Sequence, residues 1–289
     1  LGRQVVSWGE STFIQNSINS INPVDVAALR RPGAEIKEGL LPVEMLYLSQ
    51  GLTENLSMEA FYQLKMQETV LDNCGTFFGS DTLATGCNDR LVVNGTDLPQ
   101  GDSGLQSGWL LNPAMASYIV RARKDKEAKD EGQFGVALRW FVPELNDSEF
   151  GFYAMNYHSR TPLYSNIAGP GLAAAQGASG IIGLDGIEGP AGYFFEYPED
   201  IRVYGVSFQT SVAGASVGGE ISYRPNMPMQ INTGDQSRTA LVNAATTQDN
   251  THRGLAVGLG SVGDELPGYL RKEFYQMQVT AIHFVERVL

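Results

Sequence analysis

Residues 202–224 read Arg202-Val203-Tyr204-Gly205-Val206-Ser207-Phe208-Gln209-Thr210-Ser211-Val212-Ala213-Gly214-Ala215-Ser216-Val217-Gly218-Gly219-Glu220-Ile221-Ser222-Tyr223-Arg224. Before Ala213, Tyr204, Val206, Phe208, Thr210 and Val212 alternate with Gly205, Ser207, Gln209 and Ser211. After Gly214, Ala215, Val217, Gly219, Ile221 and Tyr223 alternate with Ser216, Gly218, Glu220, Ser222 and Arg224. Successive side chains of a strand point to opposite faces, so this is a pair of half-apolar strands joined by a tight turn. The pattern recurs upstream. Met58, Ala60, Tyr62, Leu64 and Met66 oppose Ser57, Glu59, Phe61, Gln63, Lys65 and Gln67; Phe134, Val136, Leu138, Trp140 and Val142 oppose Arg139 and its neighbours. Near the end, Tyr275, Met277, Val279 and Ala281 oppose Gln276, Gln278 and Thr280.

The connections alternate in length. A strand over 41–51 turns at Thr53-Glu54-Asn55 into 56–67, and a long stretch, 68–132, follows. A strand over 133–143 turns at 144–148 into 149–158, and 159–199 is long. After the third pair, a long stretch runs to about 267. Short turns alternating with long connections are the wiring of an outer-membrane barrel, and strands of about ten residues have the length that crosses a bilayer at a tilt. A soluble sandwich has shorter strands and shorter, more even loops.

Composition narrows the choice. The chain has 289 residues, 20 basic and 32 acidic, for a net charge of −12. Clustered Lys and Arg are what bind phosphate backbones, so no nucleic-acid partner is expected. Charged residues make up 18%, below the usual share of about 25%. Long apolar runs are absent, so no membrane-spanning helix is expected. Folded all-β proteins remain, soluble or membrane-spanning. Two features favour the membrane. The polar faces carry Gln, Ser, Gly and single charges rather than the dense Lys and Glu of a soluble surface. Aromatics also lie near strand ends, at Trp8, Tyr47, Trp140, Phe150, Tyr157, Tyr223 and Tyr269, as interface girdles do. The expectation is an all-β fold, a transmembrane antiparallel β-barrel of the outer-membrane type. It forms one domain over 1–289, with about eight recognisable strands. The chain begins without Met and stops within the apolar stretch Phe284–Leu289, so it reads as part of something longer.

The long stretches have their own content. Gly108–Lys129 reads as a short amphipathic helix ending in a charge run, within a long loop over 68–132. Cys74 and Cys87 lie in the same polar loop, and two lone cysteines placed so suggest a disulfide and an oxidising compartment. Free thiols or half of a metal site are the alternatives, and zinc has no nearby His and no CxxC spacing to support it. Gly254–Gly263 looks like a dinucleotide loop but lacks the strand, helix and acid of that motif.

Several motifs resemble one family: Leu1-Gly2-Arg3-Gln4-Val5-Val6-Ser7-Trp8-Gly9-Glu10-Ser11-Thr12-Phe13-Ile14-Gln15, then residues 22–42, then Cys74-Gly75-Thr76-Phe77-Phe78, then Ser222-Tyr223-Arg224-Pro225-Asn226-Met227-Pro228. They resemble the domain-of-unknown-function family 1302 across nearly the whole chain. The resemblance implies a large outer-membrane β-barrel of Gram-negative bacteria, longer than this chain. It also implies an association with a periplasmic lipoprotein-carrier-like protein and an inner-membrane pump exporting hydrophobic compounds. It carries over no catalytic motif.

Candidate functional residues are therefore sought on the polar faces. The cluster Arg30, Arg31, Glu35, Lys37 and Glu38 lies on a segment, 15–40, that could fold into a lumen and constrict it. An ion-pair network fixing a loop to the wall is the blander reading and the favoured one. Glu59, Lys65, Arg139, Glu220 and Arg224 invite the same pair of readings. An apolar substrate needs apolar lining, for which Phe61 and Phe141 are candidates, although either could simply pack against a plug. Catalysis finds little support. Gly101-Asp102-Ser103-Gly104 matches a protease string without its His and Asp context, and no GxSxG elbow accompanies His158, His252 or His283. The acidic turns at 97–102 and 146–149 lack EF-hand spacing. No cofactor and no metal is expected. The functional expectation is an outer-membrane channel or conduit for hydrophobic small molecules or lipids, contacting outer-membrane lipid and fed by a periplasmic carrier. A closed barrel acting as a scaffold through its outer loops is one alternative. A secreted, soluble β-rich hydrolase is the other.

Overall fold

The computed structural model describes residues 1–11, 17–34, 36–80, 82–84, 90–94, 117–121, 124–168, 192–242 and 263–283. The fold is all-β. The main sheet is built from β1 (Gly2–Gln4), β2 (Val43–Gly51), β3 (Leu56–Gln63), β6 (Phe134–Val142), β7 (Ser148–Tyr157), β10 (Ile201–Val212), β11 (Ala215–Gln230) and β13 (Tyr269–His283), paired in that order and antiparallel throughout. Among the described residues its edges are β1 and β13. The strands expected from alternation are β2, β3, β6, β7, β10, β11 and β13, with β3 ending at Gln63 rather than at 67; β1 is an addition to them. β11 runs further than the alternation suggests, through Pro225 and Pro228, because its register against β13 shifts between Arg224 and Met227. A bulge of this kind is where a strand tolerates residues that cannot donate to the ladder.

Short turns join β2 to β3, β6 to β7 and β10 to β11, all at one end of the sheet. The long connections leave from the other end. Their described parts contain β4 (Arg90–Asn94), β5 (Ser117–Arg121), β8 (Leu163–Ile167), β9 (Gly192–Glu196) and β12 (Glu265–Leu266), which assemble into a second sheet, β12-β8-β9-β5-β4, with β5 and β9 parallel. A helix, Thr233–Val242, packs beside β8. Ile119, Tyr164, Tyr193, Phe195, Ala240 and Leu266 form its buried core, with the three rings 5.7–6.0 Å apart. The expected helix over 108–129 is corrected here. Ser117–Arg121 is a strand, because Tyr118, Ile119 and Val120 are β-formers that pair with Val92, Leu91 and Arg90. Residues 108–116 and 122–123 lie outside the described ones.

The main sheet sorts its side chains by face. One row of cross-strand neighbours is Leu48, Ala60, Val136, Ala154, Tyr204, Tyr223 and Tyr275; the next is Met58, Leu138, Phe152, Val206, Ile221 and Met277. All point to the same side, neither row contains a charge, and none is buried: Met58, Ala60, Ala154 and Tyr223 are half-buried and the rest exposed, Tyr275 at 65% and Met277 at 72%. A soluble fold buries such a face. The opposite face is the buried one. Val43, Met45, Phe61, Tyr153, Met155, Ile201 and Val203 on it form a core with Val6, Trp8, Ile18 and Ile21 from the N-terminal segment, which lies across it as a strap.

Two glycines make room for the strap. A Cβ at Gly135 would lie 2.7 Å from the Phe61 ring and 2.9 Å from the Trp8 ring, and one at Gly205 would lie 2.6 Å from Ile18. Gly135→Val is therefore expected to destabilise the protein by about 1–3 kcal/mol through overpacking and to expose Trp8. Thermal unfolding, and tryptophan emission in a background with Trp109 and Trp140 replaced by Phe, would read this out. An unchanged melting temperature and emission would mean that the strap is not seated there.

Candidate functional site

The strapped inner face gathers most of the buried polar groups of the main sheet. At its short-turn end, the Trp8 indole N–H donates to Glu59 Oε2 at 2.7 Å. Arg139 lies between two carboxylates, with Nη1 donating to Glu149 Oε1 at 3.2 Å and Nε 3.6 Å from Glu59 Oε1. Glu220 accepts from the Glu10 backbone N–H and from the Gln278 amide, each at 2.7 Å. Toward the other end, Arg224 is fully buried. It donates to the Ser17 carbonyl, to Ser20 Oγ at 3.0 Å and to Tyr157 Oη at 3.3 Å. Asn22 ties both ends of the strap down, accepting from Val6 N–H at 2.9 Å and donating to the carbonyls of Gln4 and Leu41.

A second buried arginine, Arg160, lies beyond β7. It donates to the carbonyls of Ile21 (3.0 Å) and Gln67 (3.3 Å) and to Gln63 Oε1, joining the strap, the end of β3 and the start of a long connection. Burial pushes its guanidinium down to about 10, still charged at neutral pH. Charge is tolerated in such places when its donors are matched with acceptors.

The residues singled out in the sequence fall into three groups. Glu59, Arg139, Glu220, Arg224 and Phe61 come together on the inner face, with the Phe61 ring packed 5.1 Å from Trp8 at a tilt of 51°. Phe141 is on the same face but exposed at the strand end, and Lys65 is exposed beyond β3. Arg30, Arg31 and Glu38 are exposed at the end of the long connections rather than on the inner wall. Arg30 pairs with Asp72 and stacks on Phe78. Among the described residues of the segment 15–40, those lying on the wall are 17–23. Glu35, the Lys37 side chain, Cys87, His252 and residues 101–104 lie outside the described residues, and the Cys74–Cys87 pairing does so with Cys87.

Sequence reasoning missed Trp8 as the anchor, along with Glu10, Ser17, Asn22, Gln63, Tyr153 and Arg160. One signal was available: an indole beside Ser7, Gly9 and Glu10, in a run that does not alternate, seeks a buried acceptor. His158 takes a structural place. Its Nδ1 accepts from the Asp200 N–H at 3.0 Å and its Nε2 bonds the Glu131 carbonyl at 2.7 Å, leaving no ring nitrogen for a nucleophile. Among the described residues no three His, Cys, Asp or Glu side chains gather as around a metal ion.

An eight-stranded antiparallel sheet with an exposed apolar face, a strap on its other face and a second sheet at one end is the architecture on which the comparisons bear. The chain belongs to the family described as "Protein of unknown function (DUF1302)", whose match covers residues 1–287. No curated protein and no solved structure matches the chain significantly.

Two expectations follow. Arg160→Leu leaves the Ile21 and Gln67 carbonyls without their donor and is expected to cost about 2 kcal/mol; hydrogen exchange over 17–23 should rise. Unaltered exchange there would remove Arg160 as an anchor. The second concerns acid. Hydrogen bonding from the Asn156 amide, with help from Lys129, holds the Asp200 carboxyl below its usual range. At Glu199, burial pushes upward, but the Lys129 backbone N–H and ammonium outweigh it and the carboxyl also sits low. Carboxylates with depressed values stabilise the fold above their ordinary range, and that contribution is lost as pH falls below about 4 through the depressed values. Proteolysis around 158–200 should accelerate in that window, and less so in Asp200→Asn; identical acid profiles would contradict the assignment.

Proposed function

We propose that the main sheet is part of a transmembrane β-barrel in the bacterial outer membrane, acting as a conduit for hydrophobic small molecules or lipids. The observation that carries the reading is the uncovered apolar band on the outer face, whose two central cross-strand rows hold no charge and run across the sheet from β2 or β3 to β13, which suits lipid and not water. The wiring agrees with it, with tight turns at one end and long connections at the other. So does the inner wall, which carries buried polar groups and, beneath the same strap, an apolar patch. A water-filled pore has no use for Met45, Phe61, Met155 and Val203 on its wall, whereas a path for apolar cargo does. The family resemblance adds a periplasmic carrier protein as the partner that supplies or receives the cargo. Transport is passive: the strap sets the width of the path, and its displacement opens it.

A scaffold reading has one observation in its favour. The long connections fold together into a sheet of their own, a rigid surface that could engage a partner. We extend the proposal to a Cys74–Cys87 disulfide bracing that surface, which alkylation without reductant would test by leaving both thiols unlabelled.

Fractionation and planar-bilayer recording separate the readings. The conduit reading expects the protein in the outer membrane, slower on a gel after boiling. It also expects brief channel openings that become more frequent in a Trp8→Ala, Arg224→Met double variant. Extraction into buffer without detergent would overturn it. Membrane insertion with no conductance from either form would favour the scaffold.

A further inference from the structure

The seat of Trp8 is built like a binding site. The indole is fully buried between Phe61 (5.1 Å) and Tyr153 (5.9 Å), over the bare backbone of Gly135. Among the described residues its ring makes one polar contact, the directional bond from its N–H to Glu59 Oε2. The wall forming this box belongs to the strands, while the indole is delivered by a segment outside the sheet's pairing: β1 ends at Gln4, and Trp8 lies beyond it. The occupant can leave without breaking the sheet, but the box cannot collapse, because β3, β6 and β7 hold its sides.

We propose that Trp8 is a stand-in for cargo, and that the Phe61–Tyr153–Gly135–Glu59 box binds a flat aromatic compound bearing one hydrogen-bond donor, which competes with the strap for the seat. This rests on the conduit reading and deepens it by naming the cargo class and the event that opens the path. When the strap lifts, Glu59 loses its indole donor and Phe61 its cover. A ligand that restores both is favoured over one that restores the apolar contact alone, since half-buried Glu59 keeps its ion pair with Arg139 but regains a hydrogen bond at Oε2 from a ligand that carries a donor. The tether gives Trp8 a high effective concentration, so a free competitor is needed at millimolar levels.

The probes are indole and 1-methylindole, nearly the same shape with and without the N–H, added to the full chain in detergent micelles. Hydrogen exchange over residues 1–11 is the readout, with β7 as the control for general unfolding. Indole is expected to accelerate exchange over 1–11 about tenfold, with 1-methylindole needing about tenfold more to do the same. In Glu59→Leu that preference should vanish. No acceleration by indole, or equal action of the two probes on the unaltered protein, overturns the proposal. The conduit reading fails separately: if indole is without effect but the Trp8→Ala, Arg224→Met variant conducts more than the parent, the path stands and only the cargo site falls. If neither the variant nor indole changes conductance, the path falls as well.

Discussion

Side-chain alternation gives the main sheet two unlike faces, and each makes a demand on the surroundings. The face carrying Tyr204, Val206, Ile221 and Met277 is uncovered, and its two central cross-strand rows are free of charge, while Glu44, Arg202 and Glu273 stand on it toward the end of the long connections. Apolar surface in water costs about 25 cal/mol for each Å², so a face running across seven strands calls for an apolar environment. The other face carries Glu59, Arg139, Glu220 and Arg224, and their burial requires matched partners. Everything else in the arrangement answers one of these demands. The strap supplies donors and acceptors to the inner face, and the proposed lipid environment satisfies the outer one.

The strap answers its demand with a set of individual fits. Trp8 lies over Gly135, Ile18 over Gly205, and Ser17 and Ser20 accept from Arg224. Glycine inside a strand weakens it and is found where something approaches closely. Here the close approach is made by another part of the same chain. The strap is also held differently from the strands. Beyond β1, its described contacts with the wall are side-chain hydrogen bonds and packing rather than a backbone ladder. Such contacts hold a segment in place and still let it go at a fraction of the cost of pulling out a strand. A gate needs that asymmetry, and so does a ligand that works by displacing it.

The sequence made the main sheet legible because alternation over ten residues is a strong local signal, and every face assigned from it points the same way in the structure. Weaker signals failed for physical reasons. β11 continues past Arg224 because a register shift accommodates Pro225 and Pro228, and nothing local announces a bulge. β4, β5, β8, β9 and β12 are short and are fixed by partners far away in sequence, so their stretches looked like loops. The charge run after Tyr118-Ile119-Val120 suggested a helix, yet pairing with Leu91 and its neighbours decided for strand. Of the candidate site, the inward charges were legible from parity alone. The strap was not: Trp8 looked like an interface aromatic, and the pairing of Phe61 with it becomes visible only when residues distant in sequence are brought together. Arg30 and Arg31 drew attention as a cluster, but charge density in sequence does not say which side of a wall the charges occupy.

The central claim is that the uncovered face meets lipid. Nitroxide labels on cysteines at Val206 and Met277, against Ser207 and Gln278 on the opposite face, test it in reconstituted bilayers by accessibility to oxygen and to a water-soluble nickel chelate. The account predicts high oxygen and low nickel accessibility at 206 and 277, with neither reagent favoured at 207 and 278 while the strap is seated. Strong nickel accessibility at 206 and 277, equal to that of a label on an exposed turn such as Asp147, would put water on that face and contradict the account.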